Sequence, residues 1–415
     1  MARPTLTSRG TARCFVLASW LVLLMPCASA AQNTPGTLTL QAAMDRALAA
    51  NPSIAAARLA RAIDVAGRAV GAERLNPEAT VEIEKEAPKQ AFGLALPIEL
   101  GGKRAKRIAV GDATIRAGDA ELAATIAQIR NDVRRAYFDV LVTEAKLGVL
   151  RELQDLSRRA TDAARTRFDS GDVPRLEVLQ AELALAAAQN EATAAEGLNV
   201  AARTRLNAVL GLPLDTVPSL ATTIDAAGPV ALNAVVDLAR SSNAALTVLD
   251  RRIDTQKARL ALARSLRVPD LVPSAALTHD AQPEFTYGWR AGVAVTVPLL
   301  TSHRAGVALE DATLTQLMAE RQAEEARING EVTAAAAEAE AQRQAYQRYR
   351  DVIVPRAQEV EQLAQDSYQL GQTGIAALLQ SLQASRDVRL RSLDAASEWQ
   401  TALADLERAI GAPLP

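Results

Sequence analysis

Two copies of one sequence pattern lie about 200 residues apart in this chain, and the repeat limits the folds open to it. The first copy reads RFDSGDVPRLEVLQAE and the second reads SYQLGQTGIAALLQSL, with Gly171 matching Gly371. The copies also end alike, at LNAVLGLPL and LERAIGAPL. A repeat of this length indicates a duplicated domain rather than a short solenoid unit. We therefore predict two units, residues 31–222 and residues 223–415.

The first 30 residues have the pattern of a secretory signal peptide. Three arginines precede an apolar segment, Cys14–Met25, and small residues follow at 28–30. This order predicts export and cleavage after Ala30. An uncleaved membrane anchor and a lipid-modified Cys27 are the two alternatives.

Composition excludes several classes of site. Both cysteines lie in the signal segment, so the exported chain has no disulfide, thiolate metal site or cysteine nucleophile. Without the three signal arginines, 43 basic residues face 48 acidic ones, a balance that argues against nucleic-acid binding. The sequence shows no nucleophile with its base, no P-loop and no dinucleotide-binding glycine pattern. We predict that the protein is not an enzyme and has no cofactor.

Each unit is predicted to contain a helix of about 35 residues, a strand pair, a very long helix and a returning helix. The first helices are expected at Leu40–Leu75 and Leu232–Leu266, with turn signals at Asn51-Pro52 and Asn243. The strands are expected at about 78–98 and 273–298, and the long helical hairpins at about 103–211 and 303–411. The long runs, Lys103–Ser170 and His303–Leu370, would each measure about 100 Å.

The first long helix carries two apolar stripes with a seven-residue step. The first stripe is Ile108, Ile115, Leu122, Ile129 and Ala136, and the second is Ile126, Val133, Val140 and Leu147. A sustained seven-residue repeat specifies left-handed coiled-coil packing. Two stripes require partners on two sides, as in a closed ring of helices. A simple antiparallel helical bundle is the alternative.

The strand segments alternate between apolar and polar residues. One face of the first strand would carry Ala79, Val81 and Ile83, and the other Thr80, Glu82, Glu84 and Glu86. The last strand, Phe285–Val297, has the same alternation and three aromatic residues near its start. This pattern is typical of a transmembrane β-barrel, for which eight strands are the usual minimum. Four strands per chain then require several chains, and three chains would supply twelve. A small soluble sheet is the alternative.

At this point the sequence resembles the TolC family of outer-membrane efflux channels. The resemblance rests on the repeat, the order of elements, the two tip motifs, and LPIELGGKR (96–104) with its partner VPLLTSHR (297–304). The IELGGKR form is similar to the CzcC-like branch, which serves heavy-metal cation efflux. The resemblance implies a mostly α-helical homotrimer with a twelve-stranded barrel in outer-membrane lipid and a periplasmic α-barrel. It also implies docking through a periplasmic adaptor onto an inner-membrane pump of RND type.

The resemblance further implies a gate at the periplasmic tips. Tyr368 takes the place of the family's gate tyrosine, and Glu177 takes the acidic place. Thr373 stands where the family has an arginine. Two aspartates that ring the family's pore fall on Ala377 and Gln380, so the acidic ring is absent or has moved, with Glu177, Asp366 and Asp172 as candidate positions.

Two further sets of residues are candidates. We expect the tips to dock the adaptor through Asp169, Gly171, Asp172, Pro174, Gly371 and Gly374, although glycine at a tip also serves simply to turn the chain. Glu82, Glu84 and Glu86 would form a carboxylate ladder facing a water-filled lumen, where it would favour cations. A solvated strand face is the alternative. The histidines, His279 and His303, are isolated, so we predict no metal site.

These observations predict an outer-membrane channel that exports heavy-metal cations from the periplasm. A channel for drug efflux or type I secretion is one alternative. A soluble periplasmic coiled-coil adaptor or scaffold is another.

Overall fold

A computed structural model describes residues 37–224, 232–281, 285–297 and 300–412. The predicted signal peptide, with Cys27, lies outside these residues, as do Pro298 and Leu299 of the second junction motif. The same order of elements occurs twice: two short helices, two strands, a long helical run and a returning helix. The unit boundaries at 31–222 and 223–415 stay predictions. Among the described residues, no helix combines the length and apolar character needed to cross a membrane.

The first helix of each unit is broken near its start, which corrects the expectation of one helix of about 35 residues. The first unit has α1 (Leu40–Ala50) and α2 (Pro52–Ala72), and the second has α5 (Leu232–Ser242) and α6 (Ala244–Ser265). Asn51 accepts a hydrogen bond from the Ser53 amide at 2.8 Å and donates one to the Val209 carbonyl at 2.9 Å. The side chain therefore caps α2 and ties the break to the returning helix.

Asn243 has the same two functions in the second unit. Its side chain accepts a hydrogen bond from the Ala245 amide at 2.8 Å and donates one to the Ala409 carbonyl at 2.7 Å. Pro77 and Pro269 follow the first helices in the sequence. The helices end earlier, at Ala72 and Ser265.

The four strands form one antiparallel sheet in the order β1-β2-β3-β4. Their bounds are β1 (Glu78–Ile83), β2 (Gln90–Ala95), β3 (Leu271–Ala281) and β4 (Phe285–Val295). The first strand ends at Ile83, before the predicted positions Glu84 and Glu86, and β3 begins two residues before the predicted range 273–298. Val81 pairs with Phe92, which pairs with Leu277, which pairs with Trp289, so this face of the sheet is mostly apolar, with Gln90 and His279 as polar members. The predicted alternation is confirmed.

The first long helix, α3 (Lys103–Asp169), has 67 residues and measures about 100 Å. It contacts α2 and the returning helix α4 (Arg175–Leu210), and it also contacts α6 and the second returning helix α9 (Ile375–Ile410). None of the residues in its two apolar stripes is exposed. Both stripes therefore have packing partners within one chain, but their central members, such as Ile129 and Val133, share one core cluster with α1, α2 and α4 instead of facing two sides.

The second long run is interrupted, unlike the first. It consists of α7 (Arg304–Arg348), a π-helical turn (Tyr349–Ile353) and α8 (Val354–Gln369). Pro355 explains the interruption, because proline has no N–H to donate and its ring clashes with the carbonyl four residues earlier. A wider π-helical turn accommodates that clash without ending the helical run.

Candidate functional site

Both helical hairpins turn at a glycine in the left-handed conformation, Gly171 with φ 81° and Gly371 with φ 72°. In the first tip the Asp172 amide donates to the Arg167 carbonyl at 2.8 Å, and in the second the Gln372 amide donates to the Ser367 carbonyl at 2.9 Å. These are the six-residue closures that end a helix at a glycine. The six residues predicted to dock an adaptor lie at these turns and are exposed. Their docking role stays a prediction.

Tyr368 lies at the contact between the two hairpins. Its side chain is only 1% exposed, and it belongs to an apolar cluster to which both hairpins contribute. The first hairpin supplies residues such as Leu156 and Val178, and the second supplies Ile375 and Leu378. The repeat therefore packs its two tips side by side around one buried aromatic ring.

Three buried polar atoms at this contact have no hydrogen-bond partner among the described residues: Tyr368 Oη, Glu177 Oε2 and Thr373 Oγ1. A Cβ added at Gly374 would lie 3.6 Å from Glu177 Oε1, so the carboxylate lies against the second tip. Burial raises the pKa of Tyr368 above its usual value, and the neighbouring Glu177 carboxylate raises it further. The structure thus brings together Tyr368 and Glu177, and Thr373 directly precedes Gly374, against which the Glu177 carboxylate lies.

Arg167 also lies at this contact, although the sequence motifs did not mark it as a gate residue. Its guanidinium lies over the Tyr368 ring, 5.1 Å from the ring centre, and Nη1 donates to the Tyr368 carbonyl at 3.4 Å. Its positive charge opposes the upward shift of the Tyr368 pKa. The family's arginine position falls on Thr373, which carries no charge, whereas the first hairpin supplies a cation at this contact through Arg167. No signal in the repeat marks Arg167, since its matched position is Ser367.

The candidate positions for a displaced acidic ring differ in how far they are buried at the contact between the hairpins. Gln380 and Ala377 are exposed on α9, and Asp172 is exposed at the first tip. Asp366 is exposed and accepts a hydrogen bond from Gln362 at 3.0 Å. Of these candidate acidic residues, Glu177 is the one with a buried carboxylate oxygen.

The predicted carboxylate ladder is not continuous. Glu82 lies in β1, but the strand ends at Ile83, so Glu84 and Glu86 lie in the segment before β2. Glu82 forms an ion pair with Arg290 of β4 at 3.1 Å. The strand prediction failed here because alternation continued past the last residue that pairs with β2.

The junction motif LPIELGGKR connects the sheet to α3. Lys103, whose side chain is 8% exposed, pairs with Asp270 at 2.7 Å, and Asp270 also accepts the Leu100 amide at 2.9 Å. Arg107 pairs with Glu99 and donates to backbone carbonyls at the end of α2. The two charged pairs therefore hold the start of β3, the end of α2 and the start of α3 together.

Comparison with known proteins shows similarity to outer-membrane efflux and metal-resistance proteins. Residues 43–212 match the family model described as outer membrane efflux protein. Over these residues the chain is similar to outer membrane efflux proteins. It is 22% identical over 385 residues to the cobalt-zinc-cadmium resistance protein CzcC of Cupriavidus metallidurans, covering 92% of this chain and 91% of that protein. It is 28% identical over 283 residues to the nickel and cobalt resistance protein CnrC of the same organism, covering 61% and 63%.

The fold is also that of a solved outer-membrane channel. The structure of the channel OprN superposes with a TM-score of 0.75 and 17% sequence identity, covering 90% of this chain and 89% of that chain. The predicted mostly α-helical class with a small β part is confirmed. The matched family and this solved structure are transport proteins and not enzymes.

Proposed function

We propose that three copies of this chain form an outer-membrane channel, the exit duct of a tripartite efflux system for heavy-metal cations. The proposal rests on the open arrangement of a single chain, whose sheet and row of helices do not close into a barrel. One chain presents four strands and a row of helices, and both ends of this open wall are free to pair.

The sheet supports a membrane location. Its apolar face is exposed, with Ile83 80%, Leu277 68% and Trp289 78% accessible. Such a face is unfavourable in water and is the face that a barrel turns toward lipid. Strands β1 and β4 each have one described neighbour, and four strands fall short of the usual minimum of eight. Three copies would supply twelve strands and pair every edge.

The helices support ring closure in the same way. The order across the wall is α2 with α4, then α3, then α6 with α9, then α7 with α8. The first edge exposes large apolar side chains on α2 and α4, and the last edge exposes them on α7 and α8. These residues are Leu59, Ile63, Val70, Leu179 and Leu183 on the first edge, and Leu309, Met318, Val360 and Leu363 on the last. Packing the first edge of one copy against the last edge of the next would bury both sets.

The exposed tips suit a periplasmic adaptor, which would connect the channel to an inner-membrane pump of RND type. The cation cargo is supported by the names of CzcC and CnrC, which are cobalt-zinc-cadmium and nickel-cobalt resistance proteins. In the described ranges, no group of three or more histidine, cysteine or acidic side chains is placed to hold a metal ion. We therefore treat the cation as cargo that passes through, with selection made largely by the pump.

Two experiments test the proposal. The protein should be extracted from outer membranes only with detergent, as a trimer that heat dissociates, and it should conduct ions in planar bilayers. Recovery of all the protein in the soluble periplasmic fraction would support the adaptor alternative instead. Deletion of the gene should sensitise cells to zinc, cobalt, cadmium or nickel. Sensitivity to drugs and dyes alone would keep the channel but exclude metal cations as its cargo.

A further inference from the structure

The polar face of the sheet is lined mostly by small residues. The paired residues on this face include Ala91, Gly93, Ala276 and Gly288, together with the carboxylates Glu78 and Glu82 and a few hydroxyls. Arg290 is the one cationic side chain among the paired residues of this face in the described strands. If the apolar face contacts lipid, as proposed above, these groups face the water-filled lumen of the barrel.

An ion pair crosses this face from one edge strand to the other. Arg290 Nη2 lies 3.1 Å from Glu82 Oε2, although β1 and β4 are separated by β2 and β3. The long side chains reach each other above Gly93 and Ala276, which lie between Thr80 and Arg290 in one row of the register. Small residues at these two positions leave room for the pair on the polar face. A side chain at Gly93 would collide with the Thr80 hydroxyl.

Both partners remain accessible to solvent. The Arg290 side chain is 60% exposed and the Glu82 side chain 50% exposed. An exposed pair of this kind contributes little to stability. Its charges instead act on the solution in front of them, and rings of charged side chains set the selectivity of pores.

We propose that Arg290 determines the ion selectivity of the barrel by offsetting the negative charge of Glu82 in the lumen. The inference rests on the proposed channel function. The paired residues of each chain contribute two carboxylates and one guanidinium to this face, a net charge of −1, so three chains contribute −3. Asp280 of β3 forms its own ion pair with Lys89 and adds no net charge. Arg290→Gln would change the three-chain value to −6, and Glu82→Gln would change it to zero. Arg290 thus keeps the lumen only weakly selective for cations.

The test measures reversal potentials in planar bilayers under a tenfold KCl gradient, with potassium and chloride as the probes. Two unit charges about 6 Å apart in water interact strongly enough to change a local ion concentration roughly threefold. We therefore expect Arg290→Gln to raise the potassium-to-chloride permeability ratio about threefold or more, and Glu82→Gln to lower it by a similar factor. The double variant should return close to wild type. All differences should shrink at 1 M salt, where screening is strong.

Arg290→Lys is the matched control, because it keeps the charge and should keep the wild-type ratio. Equal reversal potentials in all variants would overturn the inference while leaving the channel intact. A shift in Arg290→Gln that lysine does not restore would also overturn it, since shape rather than charge would then be responsible. If Arg290→Gln fails to form trimers, Glu82→Gln and Arg290→Lys still decide the question. Absence of conductance in the wild-type protein would instead refute the proposed function.

Discussion

Replacement of Tyr368 by phenylalanine is the most direct test of the tip contact as a latch. The change removes one oxygen atom and keeps the ring that packs between the hairpins. Within one chain the hydroxyl is buried and has no hydrogen-bond partner, and the same is true of one oxygen of Glu177. The sign of the effect therefore depends on whether the assembled, closed channel supplies a bond to this hydroxyl.

The two cases predict opposite effects of the substitution on the stability of the closed tip. A buried hydroxyl that stays without a partner costs about 1–3 kcal/mol, so its removal would stabilise the closed tip. A hydroxyl that donates to a carboxylate such as Glu177 contributes about 1.5–3 kcal/mol. Its removal would then shift the closed-to-open equilibrium roughly 10- to 150-fold toward the open state. We expect the second case, since the Glu177 carboxylate acts electrostatically on Tyr368, and Tyr368 Oη and Glu177 Oε2 are both buried without a partner.

The measurement is single-channel conductance and open probability in planar bilayers. Tyr368→Phe should raise both, and Tyr368→Phe with Glu177→Gln should raise them no further than the larger single effect, because both changes break one contact. Tyr287→Phe is the matched control, as Tyr287 is 77% exposed on the apolar face of the sheet, far along the chain from the tips. Unchanged or reduced opening in Tyr368→Phe would reject the latch.

Three further predictions concern stability. Gly171→Ala and Gly411→Ala begin from the same φ of 81°, which costs an alanine about 1–2 kcal/mol, but only at Gly411 would the new Cβ meet a carbonyl oxygen at 2.5 Å. Chemical denaturation should show the larger loss for Gly411→Ala. Asp270→Ala should cost about 2–4 kcal/mol, because it leaves the nearly buried Lys103 ammonium unpaired. Because the raised pKa of Tyr368 contributes stability below pH 10.0 that is lost at higher pH, Tyr368→Phe should lose less stability above pH 10.0 than wild type.

Each of these predictions can be contradicted by a specific result, and the Asp270→Ala prediction has a matched control. Asp311→Ala removes a carboxylate of similar type from an exposed pair with Arg264, and it should cost less than 1 kcal/mol. Equal losses for the two aspartate variants would contradict the assigned role of Lys103. Equal losses for the two glycine variants would show that backbone strain alone governs both sites. An identical alkaline profile in Tyr368→Phe would mean that this phenol does not contribute to the pH dependence.

Local signals predicted most of the fold. The seven-residue step in α3, the alternation in the strands and the glycines at both tips each depend on a few neighbouring residues, and all three are present in the structure. The break at Asn51 was visible as a turn signal, but its effect was underestimated. An asparagine that caps one helix and also bonds to the Val209 carbonyl is held by a contact about 160 residues away.

The candidate site was only partly predictable. Tyr368 and Glu177 were found through the resemblance of the tip motifs, and the structure brings them together. Arg167 was missed because its partner is 201 residues away, so only the packing of one hairpin against the other reveals the contact. The ladder of Glu82, Glu84 and Glu86 was overextended, since alternation by itself does not show where strand pairing ends.

The sequence by itself determined the periodic elements, the duplication and the backbone positions that require glycine, because each depends on short-range chemistry. Tertiary structure alone decided which side chains meet: Arg167 with Tyr368 at the tips, Lys103 with Asp270 at the junction, and Arg290 with Glu82 across the sheet. Each pair joins the two halves of the chain. Such contacts depend on how the two units pack and on how the sheet curves, and neither is encoded in the period of a single element.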